Sequence, residues 1–185
     1  MPKQVLFIQG AGEEVHDQWD NKLVGSLERE LGTGYSIRYP RMPQEAYPHY
    51  AVWKSALLSE FDKLERGALL VGHSIGGTIL LHVLAEQRLR TNPGALFLIA
   101  APFIGDGGWQ SDDIQPRTDL AERLPAGMPV FLYHGTVDDT VPSAHVRMYA
   151  TALPHATVRV LAQRDHQLND DLGEVARDIR SMASR

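Results

Sequence analysis

The chain has 185 residues, 43% of them apolar and 22% charged, which is the balance of an ordinary globular protein with a sizeable core. A net charge of −5 without any basic stripe argues against nucleic acid as a partner, and the lack of cysteine excludes disulfides, thiolate metal sites and cysteine nucleophiles. No apolar run is long enough to span a membrane, and the first residues read as a strand and not a signal peptide, so the expectation is a cytoplasmic protein with no membrane partner.

Val5 to Gln9 reads as a short buried strand that ends at Gly10-Ala11-Gly12. A helix should follow, with Trp19, Leu23, Leu27 and Leu31 at spacing four, stopped by Gly32 and Gly34. Tyr35 to Tyr39 is a second strand, closed by Pro40. A proline-punctuated loop runs to Pro48, and a second helix carries Trp53, Leu57, Phe61 and Leu64 on one face. At this spacing Trp19 and Trp53 are expected in the core. Leu69 to Gly72 is a third strand, and Ile75 to about Arg90 a third helix.

Ala95 to Ala100 is a fourth buried strand. Pro102 to Pro125 has no clean period, and Phe103 and Trp109 are its large apolar residues. Its length exceeds a simple connection, which makes Phe103 and Trp109 candidates for a substrate pocket. Val130 to Tyr133 is a fifth strand, and Ser143 is positioned to cap a helix running to about Leu153. Thr157 to Leu161 is a sixth strand. A last helix places Leu172, Val175, Ile179 and Met182 on one face. Strands alternate with helices and are continuously apolar. The expected fold is therefore α/β: a six-stranded, mostly parallel sheet with helices on both faces, in a single domain over residues 1–185.

The sharpest local signal is Gly72-His73-Ser74-Ile75-Gly76, between the third strand and the third helix. A serine on so tight a strand-to-helix turn is strained, and its neighbours must be nearly free of side chains for strand and helix to pass. The pattern taken alone carries little. Its weight comes from the other strand ends, where ligands of open α/β sheets bind. A serine hydroxyl needs a base, and His166 lies just past the sixth strand. The base needs an orienting carboxylate, and the fifth strand is followed by Gly135-Thr136-Val137-Asp138-Asp139. Asp138 is the first choice there and Asp139 the second. A developing oxyanion would be met by the N–H groups of Ile75 and Ala11, with Gly10 and His73 beside them at the substrate pocket. His134 reads as packing at a strand end, and His16, His49, His145 and His155 as solvated. No histidine pair has metal-ligand spacing with a third ligand, so neither metal nor organic cofactor is expected.

Gly72-His73-Ser74-Ile75-Gly76-Gly77, Gly135-x-x-Asp138-x-x-Val141-Pro142 and the late His166 together resemble an α/β-hydrolase. Phe7-Ile8-Gln9-Gly10, Tyr39-Pro40-Arg41-Met42-Pro43, Leu98 to Phe103 and Tyr133-His134-Gly135 narrow the likeness. They resemble the small serine hydrolases typified by the retinoblastoma-binding serine hydrolase and its bacterial relatives. That resemblance implies a compact fold lacking the first two strands of larger members, and a triad of Ser74, Asp138 and His166. Family members commonly carry a Trp soon after the Pro-Phe pair. Here Ile104-Gly105-Asp106 stands in that place and Trp109 follows, which bears on pocket shape. The expected activity is a serine esterase acting on small carboxylic esters. An amidase or peptidase with the same triad, and a non-catalytic binding protein on a hydrolase fold, are the alternatives. Nothing in the sequence fixes the oligomeric state.

Overall fold

In a computed structural model, which describes residues 1–183, six strands form one sheet. They are β1 (Lys3–Ile8), β2 (Tyr35–Arg38), β3 (Leu69–His73), β4 (Ala95–Ile99), β5 (Val130–Gly135) and β6 (Thr157–Leu161). Their order is β2-β1-β3-β4-β5-β6, and all five pairings are parallel. The main helices are α1 (Asn21–Leu31), α2 (Tyr50–Phe61), α3 (Ser74–Glu86), α4 (Leu120–Arg123), α5 (Ala144–Ala152) and α6 (Gly173–Ala183).

The continuous apolar runs of the central strands follow from having two covered faces. Leu6, Ile8, Leu70, Leu96, Leu98 and Leu132 point into one core with Trp53, Leu57, Ile79, Val83 and Tyr149 from α2, α3 and α5. Their alternates Val5, Phe7, Leu69, Val71, Phe97, Ile99 and Tyr133 meet Leu23, Leu27, Val175 and Ile179 from α1 and α6. A period of two along each strand thus feeds both layers. Truncating one such leucine to alanine costs about 2–5 kcal/mol in a core of this kind.

Four expectations need correction. The edge strands β2 and β6 are not fully buried, and Val158 and Val160 of β6 face solvent, because an edge strand lacks a covering layer on one side. Trp19 is 51% exposed and lies outside the core. Val15–Asp20 forms a π-helical turn before α1, so the phase of the α-helix does not extend back to residue 19, and Asp20 turns inward instead. Ser143 precedes α5 without a side-chain capping bond. The third helix also ends at Glu86, where Gln87 becomes extended.

The chain runs from β1 to β2 on one side and then returns to β3 on the other. The order in which strands are added therefore reverses between β1 and β3. Their carboxyl ends, at Gln9-Gly10 and at His73-Ser74, border the crevice where ligands of such sheets are held.

Candidate active site

Ser74 opens α3 with φ +51°, a left-handed conformation that a non-glycine residue adopts only under constraint. The glycines around it supply that constraint. A side chain on Gly72 would lie 2.5 Å from the Gly77 α-carbon, and one on Gly76 would overlap the carbonyl of Gln9. Strand, elbow helix and the β1 loop are thus in backbone contact, which raises the serine above the carboxyl end of β3. Ser74 keeps 9% of its surface exposed.

The other strand ends bring their side chains to it. His166 Nε2 lies 3.0 Å from Ser74 Oγ, and His166 Nδ1 lies 2.8 Å from Asp138 Oδ2. The Asp138 carboxylate is fully buried. Its Oδ1 accepts the Thr140 and Val141 N–H groups at 2.9 and 2.8 Å. His134 Nε2 stands 3.1 Å from Oδ2 and 2.8 Å from the Val141 carbonyl. Burial works to raise the Asp138 pKa, but the donors from His134, His166 and Val141 outweigh it and hold the carboxyl well below its usual range. Asp139 is exposed, and its carboxylate is 3.4 Å from the Thr140 hydroxyl, so it takes no part in this arrangement. The His166 pKa is lowered, chiefly by burial, with the charge of nearby His73 acting in the same direction and Asp138 opposing it. A neutral imidazole between a hydroxyl and a carboxylate can take the hydroxyl proton and have the resulting charge stabilised.

The loop carrying His166 is fixed by a reciprocal pair. The Asp165 N–H donates to Asn169 Oδ1 at 3.0 Å, and the Asn169 N–H donates to Asp165 Oδ1 at 2.7 Å. Leu168, Asn169 and Asp170 all have positive φ, so this short turn is tightly wound.

The sequence matches the alpha/beta hydrolase family over residues 5–182. The chain belongs to the alpha/beta hydrolase family. Among curated proteins, no sequence matches it. Solved structures of like fold include the ydeN gene product from B. subtilis, at 20% identity and TM-score 0.75 over 99% of this chain and 100% of that one. The esterase domain of a Rhodothermus marinus protein shares 22% identity and TM-score 0.66 over 98% and 85%. A serine hydrolase without lid from Xanthomonas campestris shares 18% identity and TM-score 0.69 over 100% and 82%.

Around the serine of this alpha/beta hydrolase, Ala11 lies exposed on the β1 loop, and Ile75 is the second residue of α3. The Ile75 N–H therefore precedes the intrahelical bonds. The Gly10 N–H is engaged by Asp20 Oδ2 at 2.7 Å, and a methyl group on Gly10 would crowd Ser74 Cβ at 3.1 Å. His73 does not line a pocket. It is 1% exposed, and both ring nitrogens face buried oxygens, because its side chain points from β3 under the β1 loop. Phe103 packs edge-on against Tyr149 and borders a cavity of about 420 Å³ with Arg117 and Met148. Trp109 folds back on this segment, its backbone N–H donating to the Phe103 carbonyl at 2.9 Å and its ring edge-on to His145. Across the β1 loop, Glu13, Glu14 and Arg41 to Tyr47 border a groove of about 580 Å³. Neither space is lined by Ser74, His166 or Asp138.

Sequence reasoning missed several residues. His145 is buried, not solvated, and accepts the Phe103 N–H at 2.8 Å. Gln9 is buried and ties the β1 loop to the next one, its amide accepting from the Met42 N–H at 2.9 Å and donating to Glu45 at 2.7 Å. His134 and Asp20 join the site from behind. The one available signal was position: His134 stands four residues before Asp138 at the end of a strand. Among the described residues no cluster of His, Asp or Glu is arranged to hold a metal ion, and no helix is long and apolar enough to cross a membrane.

Proposed function

We propose that this protein is a serine hydrolase that cleaves small carboxylic esters through an acyl-enzyme. The observation that carries the reading is the unbroken chain Ser74 Oγ, His166 Nε2, His166 Nδ1, Asp138 Oδ2, with links of 3.0 and 2.8 Å. His166 removes the Ser74 proton as Oγ attacks the ester carbonyl carbon. Asp138 stabilises the imidazolium. The Ala11 and Ile75 N–H groups donate to the oxyanion, an arrangement in which each donor is worth about 10²–10³ in rate. The imidazolium passes its proton to the departing alcohol, leaving the acyl group on Oγ. A water molecule then gives its proton to His166 and attacks the acyl carbon, and the imidazolium returns that proton to Ser74 Oγ as the acid leaves.

An ester in place of an amide is favoured by the likeness in fold to an esterase domain. The narrower kinship with the retinoblastoma-binding serine hydrolases is part of the same proposal and rests on the segments that resemble them. A non-catalytic binding role on a hydrolase fold is disfavoured by the hydrogen-bonded Ser74, His166 and Asp138. Small-molecule substrates, a single domain with 102–125 as a pocket segment, and action without metal or organic cofactor belong to this reading. A panel of p-nitrophenyl esters beside matched arylamides tests it. Short esters should be turned over by the wild type and not by Ser74→Ala. Turnover of the amides alone would move the assignment to an amidase, and equal rates for both proteins would refute it.

A further inference from the structure

His73 stands directly before the proposed nucleophile and is fully enclosed, yet the reaction scheme gives it no task. Its Nδ1 lies 2.9 Å from Asp20 Oδ2, and its Nε2 lies 3.1 Å from the backbone carbonyl of His166. A carbonyl oxygen can only accept, and a carboxylate can only accept. A neutral imidazole has one N–H and one lone pair, so it can satisfy one of these neighbours and must turn a lone pair toward the other.

The proton could be placed on Asp20 instead, but the surroundings oppose this. Oδ2 already receives the Gly10 N–H at 2.7 Å, as expected of a carboxylate oxygen. Oδ1 is buried with no hydrogen-bond partner among the described residues, so a proton there would be a donor with no acceptor. Imidazole is also the stronger base of the two.

We infer that His73 is held as a buried imidazolium, paired with Asp20, and that its charge, beside the His166 ring, keeps His166 neutral and ready to act as a base. The two rings are 4.9 Å apart between centroids. His166 faces Asp138 at Nδ1 and Ser74 at Nε2, with His73 and Asp20 behind it. Asp138 and Asp20 favour a charged His166, and His73 opposes them. Consistent with this, burial disfavours the charge on His73, but the Asp20 carboxylate and the His166 carbonyl outweigh burial and raise its pKa. His73 is thus a positioning and tuning residue. It clasps the loop of His166 through the carbonyl, anchors the β1 loop through Asp20 and Gly10, and sets the proton affinity of the base. The benefit to catalysis rests on the serine-hydrolase reading, whereas the charge state does not.

The test is nitrogen NMR of the histidine rings in the full-length protein, with His73 assigned by the signal lost in His73→Asn. At neutral pH both ring nitrogens of His73 should carry protons while His166 titrates separately as a neutral ring. A neutral tautomer at His73 would overturn the inference and needs no variant to be seen. In His73→Asn, whose amide can still donate to Asp20, the midpoint of His166 titration should rise by about one pH unit, a tenfold change in proton affinity. In Asp20→Asn, where both charges of the pair are lost together, the rise should be smaller. An unmoved His166 midpoint in folded His73→Asn would also overturn it. Fluorophosphonate labelling of the wild type separates the outcomes, since its failure would strike at the hydrolase reading and leave the NMR result standing.

Discussion

Gly135, the last residue of β5, is in backbone contact with Arg164 in the loop of the proposed base. A methyl group on Gly135 would overlap the Arg164 carbonyl oxygen and come within 2.6 Å of that of Asp165. This contact fixes how far Asp138 stands from His166, because each lies within three residues of it. Gly135→Ala should therefore force the two loops apart. We expect a loss of about 1–3 kcal/mol in stability, read by chemical denaturation, and a larger loss in turnover than in folded fraction. Gly25→Ala is the control. Its methyl group meets nothing nearer than the mobile end of Arg29 at 3.7 Å, inside α1, and should stabilise by about 0.5–1 kcal/mol.

The two neighbouring aspartates should separate cleanly. Asp138→Asn replaces the carboxylate facing His166 Nδ1 and is expected to lower kcat by roughly 10⁴, the order found when the triad carboxylate of a serine protease becomes an amide. Asp139→Asn changes an exposed group and should leave kcat close to the wild-type value. Steady-state kinetics on one ester decides both.

The rate should also carry the signature of a buried base. His166 acts only when neutral, and its pKa lies below the ordinary 6.5, chiefly because of burial. kcat/KM should therefore rise with pH along a single limb whose midpoint lies below 6.5 and level off above it. A midpoint above 6.5 would show that the carboxylates around His166 outweigh burial and the His73 charge.

Most of the fold could be read from the sequence because the physics of two covered sheet faces writes long apolar runs, as in Leu69 to Val71 and Leu96 to Ile99. The elbow could be read because its glycines answer a backbone contact that no side chain permits. What could not be read depends on contacts distant in sequence. Trp19 matched the spacing of Leu23 and Leu27, but a π-helical turn at Val15–Asp20 broke the phase and buried Asp20 in its place. His145 looked like any polar helix residue until Phe103, 42 positions earlier, was seen to donate to it. Likewise, His73 needed Asp20 and His166 in view before its two acceptors could be counted.

Acid sensitivity should trace in part to His82, buried in α3. Burial pushes its pKa from 6.5 down to about 4, so the native state keeps it neutral while the unfolded chain takes up a proton below 6.5. Stability is complete above 6.5 and falls as pH drops toward 4, by up to about 3 kcal/mol from this residue. Urea denaturation at several pH values should show the slope, and His82→Gln should flatten it.

The central claim is that Ser74 is a nucleophile activated by His166. A fluorophosphonate probe followed by peptide mass spectrometry tests it most directly. One adduct per chain is expected, on Ser74, absent in Ser74→Ala and formed far more slowly in His166→Ala. Folded wild-type protein that takes no label, or labelling that persists unchanged in Ser74→Ala, would contradict it.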